Sequence, residues 1–405
     1  MEKKRSQKKW IKPRHRLMRG IGMFTVCLYV KLRYRLNAEK FDQKGRPYLV
    51  LFNHQTPSDQ FFVEASFSEH VYFIASEDIF SNGLISSLLR WSVAPIPIKK
   101  QTTDVNAVKT CIRVAREGGT IGIAPEGNRT YSGRTEYINP AIGGLAKRLG
   151  LPIALYRIEG GYGVQPRWSD GIRKGKIHAY VSRVIEPEEY KELSPDELCE
   201  VIREGLQVNE DAPGGLFESE KRAEFMERAI YVCPDCGLAE FESSGNVTRC
   251  KKCGKTVEYG ADKQLRGCGC DFPFTYFAEW YDYQKGFINK LDVTALTAEP
   301  VFRDTADIYE VRLYKRKLPL RKKAAISLYG DRIVTGEGGA DEKALPFSEL
   351  EAASVLGRNK LNLYHGGKVY QFKGGKSFNA LKYVNFYYRY KNITKGTPEE
   401  TYLGI

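Results

Sequence analysis

The sequence lacks an apolar run long enough to cross a lipid bilayer. The longest uncharged, apolar-rich run near its start is GIGMFTVCLYV, at residues 20–30, whereas a transmembrane helix needs about 20 apolar residues. No small-residue cleavage site follows this run, so it is not typical of a signal peptide. We therefore expect neither a membrane-spanning helix nor a cleaved leader.

The sequence is also poor in cysteine and in acidic residues. Nine cysteines in 405 residues are too few for a small disulfide-stapled scaffold. The 49 acidic residues are outnumbered by 63 lysines and arginines, which gives a formal net charge of +14. An excess of this size favours anionic partners, and nucleic acid and anionic lipid are the two obvious classes.

The positive charge is dense at the start of the chain. Residues 1–20 hold nine lysines and arginines against one glutamate, and the short apolar run follows them. A basic segment joined to a short apolar one is typical of a helix that lies on an anionic membrane surface. We predict that residues 1–40 form such an interfacial segment. The alternative is a disordered basic tail followed by an ordinary packing helix.

Residues 41–215 alternate between strand-like and helix-like patterns. Strands are predicted at 48–54, 71–76, 94–99, 120–127 and 151–160, with an edge strand at 176–185. Between them, Val105, Val108, Ile112 and Ala115 recur at helical spacing before a Gly-Gly pair. This order predicts an α/β domain with a mainly parallel mixed sheet.

The pattern changes after DAPGG, near residue 213, which we interpret as a linker. Residues 225–275 contain a cysteine-rich hairpin module. Residues 290–400 contain about seven short strands and a final helix, SFNALKYVNFYYRY, with turn signals every eight to twelve residues. Residues 290–400 resemble a pleckstrin-homology-like (PH-like) domain. Its basic run YKRKLPLRKK, at 314–323, is either a lipid-facing loop or a solvated hairpin.

A histidine and an aspartate lie where the first predicted strand ends, in LVLFNHQTPSD. Thr56 and Pro57 are typical of the first positions of a helix, so Asp59 is expected in its first turn. From there the carboxylate can reach back to one nitrogen of His54, leaving the other nitrogen to accept a proton. The alternative is a strand-end histidine that only bonds a capping carboxylate.

A second polar cluster, Glu126-Gly127-Asn128-Arg129-Thr130, follows another predicted strand. The ends of parallel strands share one edge of a sheet, so this cluster is expected near His54. Gly127 permits a tight turn, and Arg129 offers a planar, permanently charged fork suited to phosphate. The alternative is a turn with a surface arginine.

Taken together, these motifs resemble the glycerolipid acyltransferase family that includes the lysophosphatidic acid acyltransferases. The resemblance covers Asn53-His54-x4-Asp59, residues 76–100, the Glu126–Thr130 cluster and residues 151–161. It implies that His54 is the catalytic base and Asp59 its orienting partner. It also implies a phosphorylated acceptor, held by Glu126, Gly127, Arg129, Thr130, Lys99 and Lys100. Lys99-Lys100 stands where the family has Asp-Arg, which leaves the acceptor's identity open.

Four cysteines form two Cys-x-x-Cys knuckles. They are Cys233, Cys236, Cys250 and Cys253, and a glycine follows the second cysteine of each pair. Four thiolates at this spacing predict a closed, structural zinc site in a zinc ribbon. Cys268 and Cys270 either extend the metal site or are free thiols.

We therefore expect a transferase of phospholipid biosynthesis. It would move a fatty acyl group from a thioester of coenzyme A or acyl carrier protein to a lysophospholipid hydroxyl, most directly that of 1-acyl-glycerol-3-phosphate. The predicted location is the cytoplasmic face of an anionic membrane, as a monotopic or peripheral protein. The alternatives are a different hydroxyl acceptor or a nucleic-acid-binding zinc-ribbon adaptor. Nucleic acid is the less favoured partner because no base-reading motif is recognisable.

Overall fold

The computed structural model describes residues 9–98, 104–211 and 214–404. The first part of the chain alternates helices and strands: α1 (Pro13–Arg33), β1 (Leu36–Ala38), β2 (Leu49–Phe52), α2 (Asp59–Ser66), β3 (Val71–Ser76), α3 (Leu84–Ser92), β4 (Ile96–Ile98), α4 (Val105–Arg116), β5 (Thr120–Ile123), α5 (Ala141–Leu149), β6 (Ile153–Glu159), α6 (Gly161–Val164), β7 (Ile177–Ile185), α7 (Pro187–Tyr190) and α8 (Pro195–Leu206).

These strands form a seven-stranded sheet in the order β1-β7-β6-β2-β5-β3-β4. The five strands from β6 to β4 are mutually parallel, whereas β7 runs antiparallel to β6. The predicted α/β domain with a mixed sheet is confirmed. The 176–185 strand is not at the edge, because the short strand β1 pairs with its outer side.

The helix predicted around residue 110 is present as α4, but it buries a different face. Ala107, Cys111 and Val114 are its buried residues, and Val105 is exposed. Asp104 is the N-cap and accepts hydrogen bonds from two backbone N–H groups of the first turn. Apolar residues lie on both faces of α4, so the spacing predicted the helix but not its orientation on the sheet.

The second part of the chain is dominated by antiparallel strands: β8 (Val232–Cys233), β9 (Gly237–Leu238), β10 (Phe241–Ser244), β11 (Val247–Cys250), β12 (Thr256–Tyr259), β13 (Leu265–Gly267), α9 (Phe277–Lys290), β14 (Phe302–Val311), β15 (Leu318–Leu328), β16 (Arg332–Thr335), β17 (Lys343–Pro346), β18 (Ala352–Leu356), β19 (Lys360–His365), β20 (Lys368–Gly374) and α10 (Ala380–Thr394). The cysteine-rich module holds the small sheet β10-β11-β12-β13 and the β8-β9 hairpin. Strands β14 to β20 form an antiparallel sheet in the order β17-β16-β15-β14-β20-β19-β18.

One continuous hydrophobic core runs through the second part of the chain. It joins the cysteine-rich module, α9, the β14–β20 sheet and α10. Three aromatic residues of the α/β domain, Tyr131, Tyr162 and Trp168, belong to the same core. The two parts of the molecule are therefore packed together through buried aromatic side chains.

Two adjacent glycines in α5 give a test of how α5 packs on α8. A Cβ added at Gly143 would lie 1.9 Å from the carbonyl oxygen of Pro195, whereas one added at Gly144 meets nothing within 4 Å. We expect Gly143→Ala to destabilise the fold by about 1–3 kcal/mol through overpacking. Gly144→Ala should stabilise it by up to about 1 kcal/mol through helix propensity. Chemical denaturation of both variants measures the difference, and equal effects would contradict this packing.

Candidate active site

The strand register brings the two predicted polar clusters to the same edge of the sheet. In the parallel pairing of β2 with β5, Leu51 lies opposite Ile123. His54 and Glu126 each follow three residues later, so the two chains leave the sheet side by side. The His54 backbone N–H donates to Glu126 Oε1 at 2.8 Å, and the Thr130 N–H donates to the His54 carbonyl at 2.9 Å.

His54 and Asp59 are in direct contact. His54 Nδ1 lies 2.8 Å from Asp59 Oδ2, and the Asp59 side chain is fully buried while the imidazole is one-quarter exposed. The carboxylate also accepts from the Gln55 and Thr56 N–H groups and, at 2.6 Å, from the Thr56 hydroxyl. These donors fix the orientation of the carboxylate next to the ring.

Helix α2 begins later than the sequence predicts. Its first residue is Asp59 and its N-cap is Ser58, so Thr56 and Pro57 belong to the preceding turn. Because the Asp59 side chain accepts from the N–H groups of that turn, the carboxylate closes the turn instead of capping the helix. The same bonds aim it back toward His54.

Glu126 connects two loops beneath the site. One carboxylate oxygen accepts from His54, and the other accepts from the Glu136 N–H at 2.8 Å. Burial raises the pKa of Glu126 to about 8, although these backbone hydrogen bonds work against the shift. Its contacts are those of a residue that positions the loop, and contact with an acceptor stays a prediction.

The neighbouring residues of the cluster shape the same loop. Gly127 has a φ of +67°, the left-handed conformation that favours glycine. The Thr130 hydroxyl is buried and accepts from the N–H groups of Ser132 and Gly133. Both residues therefore hold the turn that presents Arg129, and their contact with an acceptor also stays a prediction.

Arg129 is buried at this edge without a full set of partners. Its Nη1 has no hydrogen-bond partner within residues 9–98, 104–211 and 214–404. Burial, followed by the charges of Arg167 and Arg358, lowers the pKa of Arg129 to about 9. A buried cation of this kind is stabilised when an anion binds beside it.

Two charged neighbours of Arg129, namely Arg167 and Arg358, were not predicted from the sequence. Arg167 follows α6, and Arg358 lies in the turn between β18 and β19. Neither belongs to a motif, so no local signal in the sequence indicates them. Lys99 and Lys100, which were predicted to bind the acceptor, lie outside the described residues.

The four predicted metal ligands come together in the cysteine-rich module. The sulfur atoms of Cys233, Cys236, Cys250 and Cys253 all lie within 4.8 Å of one another. The Cys233 and Cys253 sulfurs are 3.8 Å apart, as expected for a tetrahedral ion with Zn–S bonds of about 2.3 Å. This donor set fits a metal ion such as zinc. Cys268 and Cys270 are exposed and lie outside this four-sulfur group.

Comparisons with known proteins agree with the motifs. Residues 33–156 match the family model described as Acyltransferase. Two curated relatives are 1-acyl-sn-glycerol-3-phosphate acyltransferases described as chloroplastic. BAT2 of Brassica napus is 24% identical over 149 residues, 36% of this chain and 43% of that protein. LPAT1 of Arabidopsis thaliana is 22% identical over 183 residues, 44% of this chain and 50% of that protein.

The chain thus spans about half the length of the curated relatives that it matches. A solved structure, the 1-acyl-sn-glycerophosphate acyltransferase PlsC from Thermotoga maritima, is 18% identical. The match covers 46% of this chain and 78% of the PlsC chain, with a TM-score of 0.39. From the family match and the curated relatives, we conclude that this chain contains an acyltransferase domain that is similar to the lysophosphatidic acid acyltransferases.

Proposed function

We propose that this protein transfers a fatty acyl group from a thioester of coenzyme A or acyl carrier protein to a lysophospholipid hydroxyl. The acceptor that we propose first is 1-acyl-glycerol-3-phosphate. The observation that carries the proposal is the buried Asp59 carboxylate, 2.8 Å from His54 Nδ1, beside the buried guanidinium of Arg129. The names of the two curated relatives describe the same acceptor class.

The proposed reaction needs a base and a phosphate clamp. With Nδ1–H donated to Asp59, the lone pair of the His54 ring lies on Nε2, which takes the proton of the acceptor hydroxyl. The hydroxyl oxygen attacks the thioester carbonyl and forms a tetrahedral intermediate, which becomes the ester as the thiol is expelled. The C–S bond then breaks, and the thiol leaves with the proton carried by His54. Arg129 binds the acceptor phosphate, because a guanidinium matches phosphate oxygens in pairs.

A substitution at His54 tests this function directly. We expect His54→Ala to lower turnover with 1-acyl-glycerol-3-phosphate by about 10²–10⁴-fold, the usual contribution of a general base. His178→Ala is the matched control, because His178 lies on β7 and pairs with the exposed Glu39. Turnover is measured by acyl transfer from a labelled thioester. If a folded His54→Ala variant keeps wild-type turnover, the proposed mechanism is wrong.

For the second part of the chain, we propose two appended modules, at 225–275 and 290–400, after an acyltransferase domain at 41–215. The arrangement of β14 to β20 with the C-terminal helix α10 supports a PH-like fold for the last module. The four-cysteine cluster with its small antiparallel sheet supports a zinc ribbon. An experimental structure with a different strand order in 290–400 would contradict the PH-like assignment.

The proposed zinc ion has a structural role. Four protein sulfurs leave no open coordination position for a substrate, and the cluster is part of the continuous core through Cys233 and Cys250. Metal binding at such a site contributes to folding, because the unfolded chain does not preform it.

We expect the purified protein to contain one zinc ion per chain and to lose both the metal and thermal stability in Cys250→Ser. Cys268→Ser is the control, because that thiol is exposed and lies outside the cluster. Elemental analysis and thermal denaturation measure the two effects. A metal-free wild-type protein, or unchanged zinc content in Cys250→Ser, would rule out the site.

We further propose that an apolar face of this protein lies on an anionic membrane. Large exposed hydrophobic side chains cluster on three elements: Leu17, Ile21, Leu28, Tyr29 and Leu32 on α1; Leu84, Ile85, Leu88 and Trp91 on α3; and Leu313, Tyr314, Leu318 and Leu320 around the β14–β15 turn. Such a patch on a protein surface marks an interaction site. Within the described residues, no helix is both long and apolar enough to cross a bilayer.

Contacts between these elements make the face continuous. Arg14 lies over the Trp91 ring at 5.3 Å, which joins α1 to α3, and Arg90 lies over the Tyr314 ring at 4.8 Å, which joins α3 to the turn. Exposed cations border the face, including Lys31, Arg33, Lys315, Arg316, Lys322 and Lys323. Their charge favours an anionic lipid surface. None of the nine cysteines, all of which lie in the described residues, forms a disulfide, and this supports the cytoplasmic side of the membrane.

Charge introduced on α3 tests this surface. We expect the double variant Leu84→Glu, Leu88→Glu to lose binding to vesicles that contain phosphatidylglycerol, because carboxylates replace two exposed apolar anchors. Leu216→Glu is the control, because Leu216 is exposed but lies outside this face. Vesicle sedimentation measures binding. Equal binding by wild type and double variant would show that α3 does not contact the membrane.

A further inference from the structure

The turn between β18 and β19 lies against the loop that carries Arg129. We propose that this turn supplies Arg358 as a second ligand for the acceptor phosphate, so that the C-terminal sheet forms one wall of the acyl-acceptor pocket. This inference rests on the proposed function and concerns a residue that lies far outside the acyltransferase family match.

Arg167 joins the two sides of the pocket. Its Nη1 donates to the Arg129 carbonyl at 2.7 Å, and its Nη2 and Nε donate to the carbonyls of Val355 and Gly357 at 3.3 and 3.4 Å. The guanidinium also lies over the Tyr131 ring at 4.3 Å and is almost fully buried. A single planar group therefore holds the Arg129 loop and the β18–β19 turn in a fixed relation.

Among the described residues, the arginines at this junction lack a full set of hydrogen-bond and charge partners. Arg358 Nε, like Arg129 Nη1, is buried without a hydrogen-bond partner in the described part of the chain. Asp170 lies 3.4 Å from Arg358 Nη1, but it also binds Arg228 at 2.7 Å. Burial is the main cause that lowers the pKa of both Arg129 and Arg358, although the Arg358 side chain keeps 29% of its exposure. A bound dianion would supply the missing charge and acceptors.

The charge of Arg358 also acts near the proposed base. Burial raises the pKa of the Tyr34 phenol, and the charges of both Asp59 and Arg358 act on it more weakly. The Tyr34 hydroxyl accepts from Ser58, the residue before Asp59, at 2.9 Å. Arg358 therefore has an electrostatic interaction with a phenol that is hydrogen-bonded next to Asp59.

This arrangement favours a phosphomonoester over a phosphodiester. A terminal monoester has three unsubstituted oxygens and up to two charges, so it can contact Arg129 and Arg358 together. A phosphodiester carries one charge and a further headgroup, which would have to pass the wall formed by the β18–β19 turn. We therefore assign to Arg358 a role in selecting acceptors that end in phosphate.

The experiment compares Arg358→Met with Arg303→Met. Arg303 lies on β14 of the same sheet and its side chain is 65% exposed, so it controls for a lost surface arginine. Calorimetric titration with glycerol 3-phosphate, without any acyl donor, measures the affinity of the pocket for the phosphate group separately from the reaction. We expect Arg358→Met to bind about 10- to 100-fold more weakly, as for a lost hydrogen bond to a charged group. Arg303→Met should bind like wild type.

Kinetics give the second readout. In Arg358→Met the KM for 1-acyl-glycerol-3-phosphate should rise while the KM for the acyl thioester stays unchanged. Discrimination against 1-acyl-glycerophosphocholine, a phosphodiester, should fall. Arg358→Lys keeps the charge but not the planar fork, so we expect an intermediate KM. A folded Arg358→Met variant with wild-type glycerol 3-phosphate binding and wild-type acceptor KM would overturn the inference.

The same measurements separate the pocket from the reaction. His54→Ala should bind glycerol 3-phosphate like wild type while losing turnover. Suppose that the wild-type protein binds glycerol 3-phosphate and that Arg358→Met does not, but that the wild-type protein transfers no acyl group. The proposed reaction would then be wrong, whereas the proposed phosphate pocket would be supported. If wild type does not bind glycerol 3-phosphate at all, the pocket itself is disproved.

Discussion

The parallel pairing of β2 with β5 is the constraint on which the rest of the site depends. Because Leu51 lies opposite Ile123, the residues that follow the two strands leave the sheet at the same level. A shift of one residue would turn the side chains of β2 to the other face of the sheet. The hydrogen bond from the His54 N–H to the Glu126 carboxylate fixes this register at the point where the strands end.

At that edge of the sheet, a series of hydrogen bonds fixes the orientation of the His54 imidazole. The turn at Thr56 binds the Asp59 carboxylate, and the carboxylate binds His54 Nδ1. Each group in this series is buried more deeply than the imidazole, which alone is partly exposed. The imidazole is thus held in one orientation before any ligand binds, which is what the proposed role of His54 as a base requires.

Much of this could be predicted from the sequence, because the relevant signals are local. Apolar runs that end in turn residues gave the strands of both large sheets, and cysteine spacing gave the four-sulfur cluster. The face that α4 buries, the start of α2 and the inner position of β7 were not predictable, since each depends on which neighbour packs or pairs there. Arg167 and Arg358 carry no motif: the fold of the α/β domain brings Arg167 to Arg129, and only the contact between the two parts of the chain brings Arg358 there.

The aromatic residues at that contact have a consequence for how the molecule can be divided. Tyr131, two positions after Arg129, stacks on Tyr281 of α9, while Trp168 packs against Tyr259 and Phe277. Removing everything after the α/β domain would leave these large rings in water beside the edge of the sheet that holds His54. The α/β domain is thus not an independent unit with optional attachments, and a truncated fragment would be expected to aggregate.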